Sequence, residues 1–312
     1  MRVASPPVLW AYLDGEFLPL AEARVSIATH ALQYGTGVFE GIRAYADPDG
    51  EELYLLQAHA HYERFAQSCR LLRLDPGHTP EELVEITLEL LRRSGLRTDT
   101  YIRPFAFKAD PVIHVALSGL ATGLGIYAVP MGDYVATDGL RVTVSSWCRL
   151  SDNAIPARAK ITGSYANAAL AVDDARGAGF DEAILLNEDG HVAEASSANL
   201  FMLRRGVLVT PPVTDGILEG ITRGLVMELA RDQGVFVVER SIDRTELYAA
   251  EEIFLCGTGV QIAPVVEVDR RPVGTGRVGP LSLALQSAYL RACRGQDERR
   301  RHWLLPVYGR GR

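Results

Sequence analysis

The sequence predicts an α+β protein of two domains, and three observations carry that reading. At 312 residues the chain exceeds one typical domain and falls short of three, and 47% hydrophobic with 23% charged residues is ordinary for a packed globular protein. Strand signals stand on both sides of two helical patterns in the first part of the chain. The run from Pro130 through Met131-Gly132-Asp133-Tyr134 to Gly139 then breaks the periodicity with turn residues. Together they place a first domain at residues 1–129, a connecting loop at 130–139 and a second domain at 140–312.

The first domain opens with apolar residues 9–13 and 17–20 around Asp14-Gly15, a two-residue hairpin signal, and Leu53-Tyr54-Leu55-Leu56 reads as a further short strand. Tyr62, Phe65, Ala66, Cys69 and Leu72 recur at helical spacing until Asp75-Pro76-Gly77 stops the pattern. In Thr79-Pro80-Glu81-Glu82, Thr79 can cap a second helix, Pro80 suits the first helical position and Glu82 completes a capping box. Leu83, Ile86, Leu90 and Leu91 form the expected apolar face of that helix.

The second domain begins with a β-rich run at 140–147, followed by a small-residue helix over 165–176. Residues 183–186 and 191–195 form a hairpin around Asn187-Glu188-Asp189-Gly190, and 199–203 and 207–210 form another. Helices follow at 221–233 and 281–293, with a strand at 253–255 between them. The arginines Arg299, Arg300, Arg301, Arg310 and Arg312 read as a solvated tail.

Composition narrows the function classes. A net charge of −7 leaves nucleic acid or an anionic membrane little to hold by counterion release, so small molecules or further copies of the chain are the expected partners. Residues 1–7 lack the apolar core and cleavage site of a secretory signal, which makes the cytoplasm the expected location. Residues 111–132 carry no charged side chain, but Pro111, His114, Gly119, Gly123, Gly125 and Pro130 favour a buried strand with irregular flanks over a membrane span. Cys69, Cys148, Cys256 and Cys293 stand far apart with no C-x-x-C pair and no clustered histidines. Neither a metal site nor a disulfide framework is indicated, and reduced, mostly packed thiols are expected. Cys256 adjoins Gly257-Thr258, yet reads better as a small apolar strand end than as a nucleophile.

The chemistry lies in residues that follow one another in a fixed order: Lys160, Tyr165, Glu194, then Gly220-Ile221-Thr222 opening a helix and Gly257-Thr258-Gly259 closing a strand. They supply an amine for a Schiff base, a hydroxyl for a phenolate oxygen, an acid to pair with a ring nitrogen and two backbone cradles for a phosphate. One small molecule needs all of these, pyridoxal 5′-phosphate. A lysine serves as a Schiff-base former when its amine is partly neutral, which burial and positive neighbours promote. Lys160 lies in Ala159-Lys160-Ile161-Thr162-Gly163 with few local counter-charges, although a loop lysine taken alone is usually solvated. Glu194 stands among small and apolar neighbours, where a carboxylate needs a positive partner such as a protonated ring nitrogen; otherwise it is a strand glutamate facing water. Gly220-Ile221-Thr222 offers free amides at a helix start, and Thr258 adds a hydroxyl and another amide.

This order resembles the fold-type IV pyridoxal-phosphate enzymes, and among them the branched-chain amino acid aminotransferases. The resemblance covers almost the whole chain, through Tyr34-Gly35-Thr36-Gly37-Val38-Phe39-Glu40-Gly41-Ile42-Arg43, Tyr101-Ile102-Arg103-Pro104, Lys160-Ile161-Thr162-Gly163-Ser164-Tyr165 and Trp303-Leu304. It implies a D-amino acid aminotransferase-like fold, with a small N-terminal domain, a larger β-barrel-like cofactor domain and assembly as a homodimer. It implies a transaminase of branched-chain amino acid biosynthesis acting between leucine, isoleucine or valine and 2-oxoglutarate. By the same resemblance Lys160 would carry the cofactor and move the proton, and Tyr165 would bond the phenolate oxygen. Arg64 would neutralise the phosphate, and Leu218, Gly220, Ile221, Thr222, Gly257 and Thr258 would complete the cofactor site. Phe39, Tyr101, Arg103, Met131, Tyr134 and Gly259 would line the substrate pocket, with Tyr34 reaching in from a second subunit.

Three positions depart from the resemblance: Met131 replaces a frequent aromatic, Gly259 a common alanine, and Ser196-Ser197-Ala198-Asn199 a glycine-rich segment. They touch the pocket and leave the reaction type intact. D-amino acid aminotransferase, (R)-amine transaminase and aminodeoxychorismate lyase are the alternatives on the same fold. A cofactor-binding protein without catalysis is the remote one.

Overall fold

The structure, a computed structural model, describes residues 8–132 and 139–309. Residues 133–138 of the expected connecting loop, Tyr134 among them, lie outside the described residues, as do Arg310 and Arg312. The chain divides into two compact units, each combining one sheet with helices in an α+β arrangement. The first unit holds residues 1–132, 159–163 and 292–312, and the second holds 133–158 and 164–291.

Two segments therefore depart from the expected boundaries, and backbone pairing explains both. Val38 bridges Ile161, and the Phe39 N–H donates to the Lys160 carbonyl at 3.0 Å. Near the chain's end, β17 (Leu304–Pro306) pairs antiparallel with β5 (Leu53–Leu56). With both segments counted in the first unit, the two units are nearly equal in length.

The first unit starts with β1 (Trp10–Leu13) and β2 (Glu16–Pro19), whose turn has Asp14 and Gly15 both at positive φ, as the hairpin signal requires. After α1 (His30–Tyr34) come β3 (Gly37–Phe39), β4 (Ile42–Ala46), β5, α2 (Ala58–Leu71), α3 (Pro80–Ser94), β6 (Thr100–Lys108) and β7 (Thr122–Pro130). The sheet order is β17-β5-β4-β6-β7-β1-β2, with β3 also beside β6. The uncharged stretch supplies β7, paired along its whole length with β6, and Phe105 and Phe107 lie across Gly125 and Gly123 where no Cβ would fit.

In α3, Thr79 Oγ1 accepts from the Glu82 N–H and the Glu82 carboxylate accepts from the Thr79 N–H, so the capping box forms as expected. The buried face is Leu83, Val84, Leu88, Leu90 and Leu91; Ile86 is only half-buried, one position round from the expected stripe. The solvated tail also needs correction. Arg300 is buried because Asp297, which caps this turn, pairs with its guanidinium, and Arg301 donates to the Tyr54 hydroxyl at 3.1 Å. Arg299 is exposed as expected.

The second unit is a nine-stranded mixed sheet. Its elements are β8 (Leu140–Val144), α4 (Tyr165–Gly177), β9 (Glu182–Leu186), β10 (Val192–Ala195), β11 (Asn199–Arg204), β12 (Val207–Thr210), α5 (Ile221–Asp232), β13 (Val237–Glu239), β14 (Glu252–Gly257), β15 (Gln261–Val268), β16 (Arg271–Pro272) and α6 (Pro280–Cys293). The order is β10-β9-β8-β15-β14-β11-β12-β13, with β16 also beside β15. The β8–β9 and β12–β13 pairs are parallel, and each is joined by a helix, α4 or α5, because a parallel connection needs a crossover. Val142, Ile184, Val192, Leu200, Met202, Leu255 and Val265 are among the residues of its core.

Of the four cysteines, Cys148 is exposed and Cys69, Cys256 and Cys293 are buried. Burial pushes the Cys69 and Cys256 thiols up to about 12, so both stay neutral and Cys256 packs as a strand end. Among the described residues no helix is long and apolar enough to cross a membrane.

Thr79→Ala removes one half of the capping box and should destabilise the first unit by about 1 kcal/mol. Urea unfolding measures it; an unchanged midpoint would show that the cap does not anchor α3.

Candidate active site

Only two of the 32 basic residues are lysines, Lys108 and Lys160. The Lys108 amine is buried and donates to the carbonyls of Arg73 and Leu120 at 2.7 and 3.1 Å, and burial lowers its pKa. It is committed to holding two backbone segments together. Lys160 is then the side-chain amine that a carbonyl cofactor can use, a signal readable from the lysine count alone.

The backbone of Lys160 is fixed on both sides. Its N–H donates to Ser68 Oγ at 3.2 Å and its carbonyl accepts from Phe39. Lys160 Nζ lies 5.1 Å from the centroid of the Phe39 ring, and the Arg103 guanidinium lies 4.4 Å from the same ring. Arg103 Nη2 donates to the Tyr101 hydroxyl at 2.8 Å, and burial raises that hydroxyl's pKa. Gly41 packs against the hydroxyl so closely that a Cβ there would stand 2.2 Å from it. Phe39, Tyr101, Arg103 and Lys160 are thus brought together in the first unit. Nearby, buried Arg43 donates to the carbonyls of Met131 and Gly132, fixing where the connecting loop begins. Tyr34 ends α1 and is partly exposed.

α2 turns His61, Arg64 and Ser68 toward this region at helical spacing. Glu40 is fully buried; Arg64 Nε and Nη2 donate to its two oxygens at 2.7 and 2.9 Å, and His61 Nδ1 donates at 2.8 Å. Burial alone would raise the Glu40 pKa, but Arg64 and His61 outweigh it and hold the carboxyl well below the usual carboxylate range. Burial lowers the pKa of His61, which therefore stays neutral. Glu40 has no evident task within the sequence motif that contains it; in the fold it is the buried partner of Arg64.

In the second unit, Glu194 lies on β10 where a bulge slips the register from Val192↔Leu186 to Glu194↔Leu185. The extra residue lets neighbouring positions both turn inward, so Glu194 is buried and does not face water. Arg149 Nε sits 3.0 Å from Glu194 Oε1, while Asn199 Nδ2 and the Leu218 N–H donate to Oε2 at 3.0 and 3.1 Å. Asn199 Nδ2 also donates to the Leu218 carbonyl at 3.0 Å, and a Cβ at Gly220 would stand 1.9 Å from Asn199 Oδ1. Asn199 pairs with Cys256 in the β11–β14 register, and Gly257 packs near Ser197 and Ala198. Glu194, Leu218, Gly220 and Gly257 thus form one contiguous cluster around Asn199. Neither Arg149 nor Asn199 was expected; Arg149 carries no local signal, since only the fold brings it to Glu194.

α5 begins at Ile221 behind Gly220, with no side chain capping its first amides and no acid in its first turn, whereas α3 has Glu81 and Glu82 there. A helix start without acids suits an anion. Arg223 holds this helix by donating to the Pro211 carbonyl at 2.9 Å and to Glu239 at 2.6 Å. Tyr165 begins α4 and borders a cleft of about 1040 Å³ with Ser196, Ser197, Leu255 and Glu182. No atom crowds a Cβ at Gly259, so that glycine is not required by packing.

These residues fit pyridoxal phosphate: the chain offers an amine, a buried anion for a ring cation, and an acid-free helix start where Gly220 leaves no room for a side chain. Sequence comparison agrees. Residues 37–268 match the amino-transferase class IV family, to which the chain belongs, and pyridoxal phosphate is that family's cofactor. Within the family it groups with the branched-chain-amino-acid aminotransferases. It is 46% identical to the probable branched-chain-amino-acid aminotransferase of Aquifex aeolicus over 301 residues, 96% of this chain and 97% of that protein. The branched-chain aminotransferase of Thermoproteus uzoniensis with norvaline superimposes with a TM-score of 0.93 at 43% identity, covering 96% of this chain and 100% of that one. A T.th. branched-chain amino acid aminotransferase complexed with N-(5′-phosphopyridoxyl)-L-glutamate gives 0.92 at 39%, covering 96% and 99%.

Gly220→Ala should drive a methyl group into Asn199 and weaken pyridoxal phosphate binding at least about tenfold, the loss of one good hydrogen bond to a charged group. Gly259→Ala should leave both affinity and melting temperature close to the parent's. Titration of the apoenzyme with cofactor tests both, and equal behaviour of the two variants would remove Gly220 from the cradle.

Proposed function

We propose that the protein transfers the amino group of a branched-chain L-amino acid, leucine, isoleucine or valine, to 2-oxoglutarate, with pyridoxal phosphate carried on Lys160. The observation that carries this reading is the Phe39–Arg103–Tyr101 cluster beside Lys160, an apolar ring packed against a cation. Two substrates share such a site. An alkyl side chain takes the aromatic surface, and the γ-carboxylate of glutamate takes the positive charge, without which its burial would be costly. Relatives solved with norvaline and with a phosphopyridoxyl-glutamate support both halves of that reading.

When bound, the cofactor supplies a carbonyl for the donor's amine and a ring that withdraws electrons from the donor's Cα. Lys160 Nζ would take the proton from that carbon and deliver it to the cofactor's carbonyl carbon, and would carry it the opposite way for the oxo-acid acceptor. Glu194 accepts a hydrogen bond from the ring nitrogen and favours its protonated form. Tyr165 donates to the phenolate oxygen. The amides of Ile221 and Thr222 and the Thr258 hydroxyl would hold the phosphate, and Arg64, oriented by Glu40, would add a positive charge toward it. Met131 and Gly259 would border the substrate.

We also infer a homodimer in the cytoplasm. Ile27 (89% exposed), Ile113 (86%), Val115 (77%) and Leu32 (67%) leave apolar side chains uncovered on the first unit. His30 Nε2 bonds the His114 carbonyl at 2.7 Å and ties the two segments together, with Tyr34 beside them on α1. A second copy covering that surface brings Tyr34 to the partner's substrate.

Paired with 2-oxoglutarate, L-leucine and L-valine should be turned over far faster than D-alanine or (R)-1-phenylethylamine; faster turnover of either of the last two would reassign the substrate class. Arg103→Ala should raise the KM for 2-oxoglutarate more than that for 4-methyl-2-oxopentanoate, by a factor of roughly 10² or more if one half of a buried charge pair is lost. An equal rise for both acids would mean general damage to the pocket.

A further inference from the structure

We propose that Arg149 is a positioning residue of the reaction, one that keeps the Glu194 carboxylate ionised and fixed in the orientation that receives the cofactor's ring nitrogen. The proposal rests on the role given above to Glu194 and adds to it a cation from this chain.

Glu194 is buried by the chain itself, and an anion so enclosed needs charge compensation. Arg149 supplies it at 3.0 Å on Oε1, while Asn199 and the Leu218 N–H take Oε2. These three groups come from the segment after β8, from β11 and from the turn before α5, so the carboxylate is gripped from separate elements and cannot rotate freely. Arg149 is itself anchored: its N–H donates to the Leu186 carbonyl at 2.7 Å, and its Nε also lies 3.3 Å from the Gly216 carbonyl.

Other charged or titratable groups lie on the elements packed around Glu194: on β9, Glu182 is buried and burial pushes its carboxyl above the usual range, and His191, just before β10, pairs with Asp243 at 3.1 Å. On β14, Cys256 is held neutral by burial, with its thiol pushed up to about 12. On α5, Arg223 is paired with Glu239 at 2.6 Å. Before Gly216, Asp215 Oδ1 accepts from Ser241 Oγ at 3.2 Å, while its buried Oδ2 has no hydrogen-bond partner among the described residues. Asn199 on β11 does not titrate. Arg149 is a cation in direct contact with Glu194, and without it a buried Glu194 would take up a proton more readily. A protonated acid is neutral and no longer offsets the charge of a protonated ring nitrogen.

The sign of the pH effect follows. Removing the cation raises the pH at which Glu194 protonates, so Arg149→Gln should move the acid limb of the kcat profile upward by about one pH unit or more. The KM for L-leucine should stay near the parent's. Apoenzyme titrated with pyridoxal phosphate, followed by tryptophan fluorescence, should lose affinity about tenfold on the acid side of the shifted limb and little above it. Arg149→Lys should restore both profiles. A uniform loss at every pH, or Arg149→Lys behaving like Arg149→Gln, would show a purely structural role and overturn the proposal. Glu194→Gln separates the two readings. If it binds cofactor and turns over like the parent, the role of Glu194 itself falls, and this proposal with it. If it is impaired while Arg149→Gln keeps the parental pH profiles, only the role of Arg149 falls.

Discussion

Residues 159–163 fold onto the first unit although the chain on both sides of them belongs to the second, and the peptide groups of Lys160 are pinned there between Ser68 Oγ and the Phe39 N–H. With the backbone fixed, the reach of the amine is set by its own side chain alone. That places a single lysine beside Phe39, Tyr101 and Arg103 with little freedom to wander, the kind of preorganisation that lets one group act repeatedly at one carbon atom. The other lysine is spent on two backbone carbonyls, so the arrangement has no substitute within the chain.

Each unit keeps charge buried, each time with a partner. Glu40 is fully enclosed and matched by Arg64 and a neutral His61; Glu194 is enclosed and matched by Arg149. Stripping water from such ions costs several kcal/mol each before the pair recovers it. The stability contribution of Glu40 has a definite pH sense. Its pKa is depressed in the folded chain, so the contribution is complete above the usual carboxylate range and is lost as the pH falls toward the lowered value. What these pairs provide is orientation: a guanidinium held side-on by two oxygens, and a carboxylate held through both of its oxygens, Oε1 by Arg149 and Oε2 by Asn199 and the Leu218 N–H.

Much of this was legible in the sequence. Local rules found the Asp14-Gly15 turn, the Thr79 capping box and the hairpin that carries Glu194, because each depends on a few adjacent residues. The order of Lys160, Tyr165, Glu194 and the two glycine-flanked cradles pointed to the cofactor. What stayed hidden depends on contacts between distant positions. The bulge that buries Glu194, the approach of Arg149 across the sheet and the meeting of Glu40 with Arg64 leave no periodic trace. The same holds for Arg300, which reads as one more tail arginine until Asp297 turns back to meet it. Domain boundaries drawn as single cuts could not anticipate a five-residue segment joining one unit from within the other.

The central claim is that Lys160 is the residue that carries the cofactor, and having two lysines makes the test simple. Enzyme loaded with pyridoxal phosphate is reduced with borohydride, digested and mapped by mass spectrometry. The account predicts the phosphopyridoxyl label on the peptide containing Lys160 and none on the peptide containing Lys108. Label on Lys108, or no stable label on either, would contradict it.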